Sequence, residues 1–231
     1  MCGSTSQGRA FILPDDFHAQ QHGASDAGAC QQIEDYMLRN TETSYGSVAK
    51  FLHWTMALWF LTAYVVIIYL TWDHTEGLIP GLNYHKVIGF TILVPLALRF
   101  AWRLRNPQPR LPATMPRWQK RVSHLSHFLL YFFMLAMPVT GYLGNGGGVD
   151  YGIFQVPPFM RTDLALWIFE TFGITAQQWD VFFDTFHYRI VGPFVFSSLV
   201  ILHAGAALYH HVVMKDEVLV RMLPARRGNA D

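Results

Sequence analysis

The sequence predicts an all-α integral membrane protein, a four-transmembrane-helix bundle with additional short interfacial helices. Three observations lead there. The chain has four long apolar runs; it is 52% hydrophobic and only 14% charged; and its arginines and lysines gather at one end of the runs. The first run is Val48 to Leu70, the second Tyr84 to about Phe100, the third His124 to Leu143 and the fourth about Tyr188 to Val213. At about 1.5 Å per residue, each crosses a hydrocarbon core of about 30 Å with modest help from its flanks. Trp54, Trp59, Trp72 and Trp102 lie near the expected ends, where an indole meets headgroups and hydrocarbon together.

Charge sets the expected orientation. Between spans two and three stand Arg103, Arg105, Arg110, Arg117, Lys120 and Arg121 with no acid among them. The long loop before span four has Arg161 against Asp150, Asp163, Glu170, Asp180 and Asp184, and the first loop adds Asp73 and Glu76. Lys215, Arg221, Arg226 and Arg227 follow span four. Positive-inside reasoning puts both termini and the second loop in the cytoplasm, with the other two loops outside.

Three parts are expected: an amino-terminal extension over 1–47, a membrane domain over 48–214 and a tail over 215–231. The extension is rich in Gly, Ser, Ala, Gln and acid and lacks a signal-peptide pattern. Its stretch from Ala27 to Leu38 suits a short surface helix, and the extension as a whole suits docking on a redox protein. Cys2 and Cys30 both fall within it and are expected as free thiols rather than a structural disulfide. Residues 144–186 are too long for a plain turn. Gly146 to Gly148 and Pro157–Pro158 are turn material, Leu164 to Phe172 suits a short helix, and Trp179 to Phe186 suits an element along the outer interface. A fifth span there would have to bury Glu170, Asp180 and Asp184. The net charge of +1 gives no reason to expect nucleic acid as a partner.

The chemistry lies in four histidines near span ends. His53 opens span one on the inner side, His85 and His187 open spans two and four on the outer side, and His203 lies toward the inner end of span four. The levels pair His53 with His203 and His85 with His187. Two imidazoles are a normal axial set for haem iron, and together they leave no open position for a substrate on the metal. Spacing favours two b-type haems, with a histidine-based metal or proton pathway as the alternative. One spacing conflicts with a regular helix. His187 and His203 are 16 residues apart, which on an ideal helix turns one about 160° from the other. Gly192 and Pro193 lie between them, where a kink or local widening can rotate the lower half.

Other polar residues cluster around these levels. Arg99 and Arg103 share a face at the inner end of span two and suit haem propionates, though positive-inside anchoring also accounts for them. His210 lies seven residues after His203 and suits a propionate, a proton path or a quinone headgroup. His124 and His127 open span three and read as interfacial, with a proton-transfer role left open. Lys86 and Arg189, just after the outer histidines, suit propionate or lipid anchoring, or a small positive island that attracts an anionic substrate.

Lys50–Phe51–Leu52–His53–Trp54, Tyr84–His85–Lys86–Val87–Ile88–Gly89 and the stretch from Leu202 through His211 resemble the bacterial cytochrome b561 family. So do Pro107 with Pro109, Met137 through Tyr142, and the tail from Lys215 to Pro224. The resemblance implies a four-helix bundle in the bacterial inner membrane with two b haems, His53 and His203 holding the inner one and His85 and His187 the outer. It includes a superoxide oxidase that passes electrons from superoxide to ubiquinone, with Lys86 as part of the outer positive surface. The leading expectation is therefore a dihaem carrier linking an outer donor, with superoxide the most concrete case, to ubiquinone. The alternatives are the membrane cytochrome b subunit of a hydrogenase or dehydrogenase, and a non-redox membrane scaffold or sensor.

Overall fold

The computed structural model describes residues 38–72 and 78–224. The expected amino-terminal helix, both cysteines and the acids of the first loop lie outside the described residues. Helix α1 runs Ser47–Trp72. The second span is built from α2 (Leu78–Thr91) and α3 (Leu93–Arg105), joined through Ile92, whose N–H still reaches Ile88 and whose carbonyl still receives Leu96. The third span is α4, Arg117–Leu143. A hairpin of two short strands, β1 (Val149–Asp150) with β2 (Gln155–Val156), and helix α5 (Asp163–Phe172) follow. The last span is continuous: α6 (Ala176–Asp184), a π-helical segment over Thr185–Phe196, α7 (Ser197–Tyr209) and a short π turn over His210–Met214.

Among the described residues, four continuous helical stretches are long and apolar enough to cross a membrane: α1, α2 with α3, α4, and the last span from α6 onward. Their outward faces are apolar: Leu58, Leu61 and Val65 on α1, Leu98 on α3, Phe128 on α4 and Ile201 on α7 are each more than half exposed. Such a surface has no place in water, but lipid covers it without cost. Inside, Met56, Ile92 and Leu96 form a tight knot, flanked by Trp59, Phe60, Tyr131 and Met134. Pro95, Pro138 and Pro193 interrupt three spans. Hydrocarbon offers no water to the carbonyls that prolines free, so neighbouring groups must bond them. In α4 the Thr140 hydroxyl also donates back to the carbonyl of its own preceding turn, at Ala136, at 2.6 Å.

The last span begins earlier than expected, at Ala176 rather than near Tyr188. A capping box closes its start: Thr175 accepts from the Gln178 N–H, and the Gln178 side chain accepts from the Thr175 N–H. Trp179 then donates its indole N–H to the Leu143 carbonyl at 3.0 Å and stacks on Phe159, holding α6 against the end of α4. The acids in this stretch are therefore not driven into hydrocarbon, and exposed Asp184 pairs with Arg189 at 3.7 Å. The resulting helix of 39 residues is about 58 Å long if regular, roughly twice the hydrocarbon thickness, so α6 stands clear of it.

Each bundle end is tied. At the distal end, away from the start of α1, Asn83 bonds both backbone groups of Asp150, and Tyr142 donates to the Pro157 carbonyl. At the proximal end, Trp54 donates to the Met222 carbonyl, Arg221 to the Arg110 carbonyl, and Asn40 to the Pro107 carbonyl. Because Ile92 is 1% exposed at the junction of α2 and α3, Ile92→Ala is expected to destabilise the bundle by about 2 kcal/mol or more. Thermal unfolding in detergent, followed by circular dichroism, measures the loss.

Candidate functional site

Two histidine pairs face each other inside the bundle. At the distal level, His85 from α2 and His187 from the π segment have ring centres 6.2 Å apart. At the proximal level, His53 from α1 and His203 from α7 are 6.1 Å apart. Two imidazoles on opposite sides of one metal, each nitrogen about 2 Å away, place their ring centres about 6.2 Å apart. Each pair thus has the ring spacing that two imidazoles holding one iron between them would need.

The distal pair is already set for that role. His85 donates from Nδ1 to the Ala63 carbonyl at 3.0 Å. The Thr140 hydroxyl spends its hydrogen on the α4 backbone, so its oxygen accepts from His187 Nδ1 at 3.3 Å. With Nδ1 carrying the proton in both rings, each Nε2 keeps its lone pair, the arrangement of a metal-ligating histidine oriented by its other nitrogen. Gly141 makes room for this ring, because a side-chain carbon there would lie 2.8 Å from His187 Cε1.

The proximal pair is held differently. Arg99 donates from Nη2 to His53 Nδ1 at 3.0 Å. A guanidinium has no lone pair to offer, so here the proton sits on Nε2. An iron at Nε2 needs the opposite tautomer, and hence another acceptor for Arg99. Arg99 and Arg103 both lie over the Tyr131 ring, at 5.9 and 5.2 Å. His127, expected to be interfacial, instead sets its ring edge-on to His203 with centres 5.6 Å apart. Tyr45, just before α1, is a neighbour that sequence reasoning missed. Burial pushes its phenol above the ordinary tyrosine value while nearby Arg103 and Arg99 pull the other way. It stays an O–H donor at neutral pH.

The π segment resolves the 16-residue spacing. Each π turn takes in one more residue than an α turn. Two residues absorbed in this way reduce the angle between His187 and His203 from about 160° to about 40°. The segment contains Gly192 and Pro193, the residues that suggested a distortion.

Three other candidates are placed as follows. His210 bonds through Nδ1 to Asp216 Oδ2 at 2.5 Å, and both side chains are largely buried. Asp216 is turned back by Lys215, which adopts a left-handed φ of 52°, and its other oxygen accepts from the Val218 N–H. Asp216 lay within the tail stretch carrying the family likeness, but nothing in its spacing announced this bond. Lys86 is half-buried beneath the glycine loop, its Nζ 3.5 Å from where a Gly147 side chain would begin. Arg189 is exposed and already paired with Asp184.

A family model for prokaryotic cytochrome b561 matches residues 44–225. The chain is 29% identical over 199 residues to cytochrome b561 homolog 2 of Escherichia coli, covering 80% of this chain and 93% of that protein. Homolog 1 of the same organism is 27% identical over 184 residues, with 77% and 95% covered. A protein named probable superoxide oxidase CybB, from Yersinia pestis, is 27% identical over 148 residues, with 62% and 75% covered. A match that spans every helix bearing the paired histidines means that the chain belongs to the prokaryotic cytochrome b561 family: it is a multi-pass membrane b-type cytochrome and an electron carrier.

Proposed function

We propose that the protein is a dihaem carrier that links a donor on the outer face of the bacterial inner membrane to ubiquinone. The observation behind this reading is the pair of equal histidine spacings, 6.2 and 6.1 Å, at two levels of one bundle. Each haem supplies an iron that passes single electrons between its ferric and ferrous states. His85 and His187 hold the distal haem, and His53 and His203 the proximal one. The basic second loop and tail put the proximal end, with both termini, on the cytoplasmic side.

At the proximal end Arg99 would turn from His53 to a propionate carboxylate, with Arg103 and the Tyr45 hydroxyl as further donors. This exchanges a neutral acceptor for an anion, a stronger partner for a guanidinium. At the distal end Lys86 is the cation that draws an anionic donor inward, since the charge of Arg189 is already offset by Asp184. Superoxide suits such an approach, and the resemblance to a probable superoxide oxidase supports it. Two superoxide anions each give up one electron and leave as dioxygen; ubiquinone gains the two electrons and two protons. We assign to His210, paired through Nδ1 with Asp216, the passage of a proton from the cytoplasmic side to the reduced quinone.

Three outcomes are expected. Pyridine haemochrome analysis of purified protein should give two b haems per chain, falling to one in His187→Ala and in His203→Ala; unchanged content in either variant removes that histidine from the ligand set. Superoxide should reduce the wild-type haems rapidly, with reoxidation on adding ubiquinone, and Lys86→Glu should slow the reduction about tenfold at low salt. No reduction above a control containing superoxide dismutase rules out superoxide as donor. His210→Ala should keep both haems yet slow quinone-dependent reoxidation about 100-fold, read by stopped-flow absorbance.

A further inference from the structure

One turn of α1 touches the support of both distal histidines. The Ala63 carbonyl orients His85. The next residue, Tyr64, donates its hydroxyl to the Gly192 carbonyl at 2.5 Å, in the middle of the π segment that carries His187. Ser197 completes the cluster. Its backbone N–H reaches the same Gly192 carbonyl, five residues back, and its hydroxyl lies 2.8 Å from both that carbonyl and the Tyr64 oxygen. Having one hydrogen, it serves one of them at a time.

We propose that Tyr64 and Ser197 are positioning residues that hold span four in its widened register, so that His187 meets His85 while His203 meets His53. The inference rests on the dihaem reading and adds to it the groups that make four ligands possible at this spacing.

The physical case has three parts. A π turn is rare and stacks its backbone less well than an α turn, so a run of it in a membrane helix needs something outside the helix to favour it. The Gly192 carbonyl takes its π-type bond from the Ser197 N–H, and the Tyr64 hydroxyl adds a second donor; it comes from a different helix, so it recognises the carbonyl only where the widened register puts it. Finally, the register is packed as well as bonded. Phe196, 1% exposed, lies against Phe60 with ring centres 5.1 Å apart and stacks on Tyr64 at 6.3 Å. Gly192 admits no side chain, since its first carbon would lie 2.6 Å from the His187 carbonyl and 3.2 Å from Met137 Cε. Each residue that slips back into an α turn rotates the distal half by about 100° and carries His187 away from His85. His203 lies below the segment and stays with His53.

The test uses the full chain purified in detergent, with His187→Ala supplying the spectrum of the protein lacking its distal haem. Wild type, Tyr64→Phe, the double variant Tyr64→Phe/Ser197→Ala, and Thr62→Ala are compared for haem content, midpoint potentials and low-spin electron paramagnetic resonance. Thr62 donates within α1 to Leu58 and controls for loss of a membrane hydroxyl. Tyr64→Phe keeps the ring against Phe196 and so keeps the packing. The double variant is expected to lose at least half of the distal signal, or to shift its potential and line shape, while the proximal signal and the Thr62→Ala spectrum stay as in wild type. Ser197→Thr, which retains a hydroxyl, is expected to keep both signals. Two haems with unchanged distal features in the double variant overturn the inference, as does equal loss of both haems. A wild type with a single haem overturns the dihaem reading itself.

Discussion

The fourth span has to present two histidines, 16 residues apart, to one bundle interior without leaving backbone carbonyls bare in hydrocarbon. A regular helix meets the hydrogen-bonding demand and fails the facing demand. The π segment over Thr185–Phe196 meets both, because the extra residues are taken up inside the helix while the Gly192 carbonyl keeps a backbone donor in Ser197 and gains the Tyr64 hydroxyl from α1. Much else in the bundle accommodates that segment. Gly141 and Gly192 are small where His187 and its own backbone come close. Thr140, itself near a proline, uses its oxygen to orient His187.

The two histidine levels differ in how ready they are. The distal pair has both Nδ1 atoms engaged as donors, so both Nε2 atoms keep their lone pairs. The proximal pair has Arg99 on His53, an interaction that a carboxylate competes for. The two ends of the bundle also differ in what covers them. Aromatic stacking around Trp179 and the hairpin close the distal end, while side-chain to backbone bonds from Trp54, Arg221 and Asn40 knit the proximal loops together.

Most of the architecture was legible in the sequence. Hydrophobic length is a one-dimensional property, and the four spans, the helix at Leu164–Phe172 and the levels of the histidines all follow from position along the chain. The start of span four was not legible. Between Trp179 and Asp184, acids and aromatics alternate in a way that suits an interfacial segment as well as a helix standing above the membrane. Only the packing of Trp179 on α4 chooses between them. His127 read as interfacial because its depth alone is ambiguous; its contact with His203 depends on how α4 is rotated. Tyr64 and Ser197 carried no signal, since a tyrosine and a serine in an apolar run are ordinary until a displaced carbonyl gives them something to bond.

By itself, then, the sequence determined which residues lie in the membrane, which four histidines share two levels, and the family to which those motifs point. These depend on composition and on rise along a helix axis, which hardly varies. Tertiary structure decided which way each histidine faces, which ring nitrogen carries the proton, and that His210 is held by Asp216. Rotation about a helix axis accumulates with every residue and is reset by one widened turn, so it is fixed only where one helix bonds another.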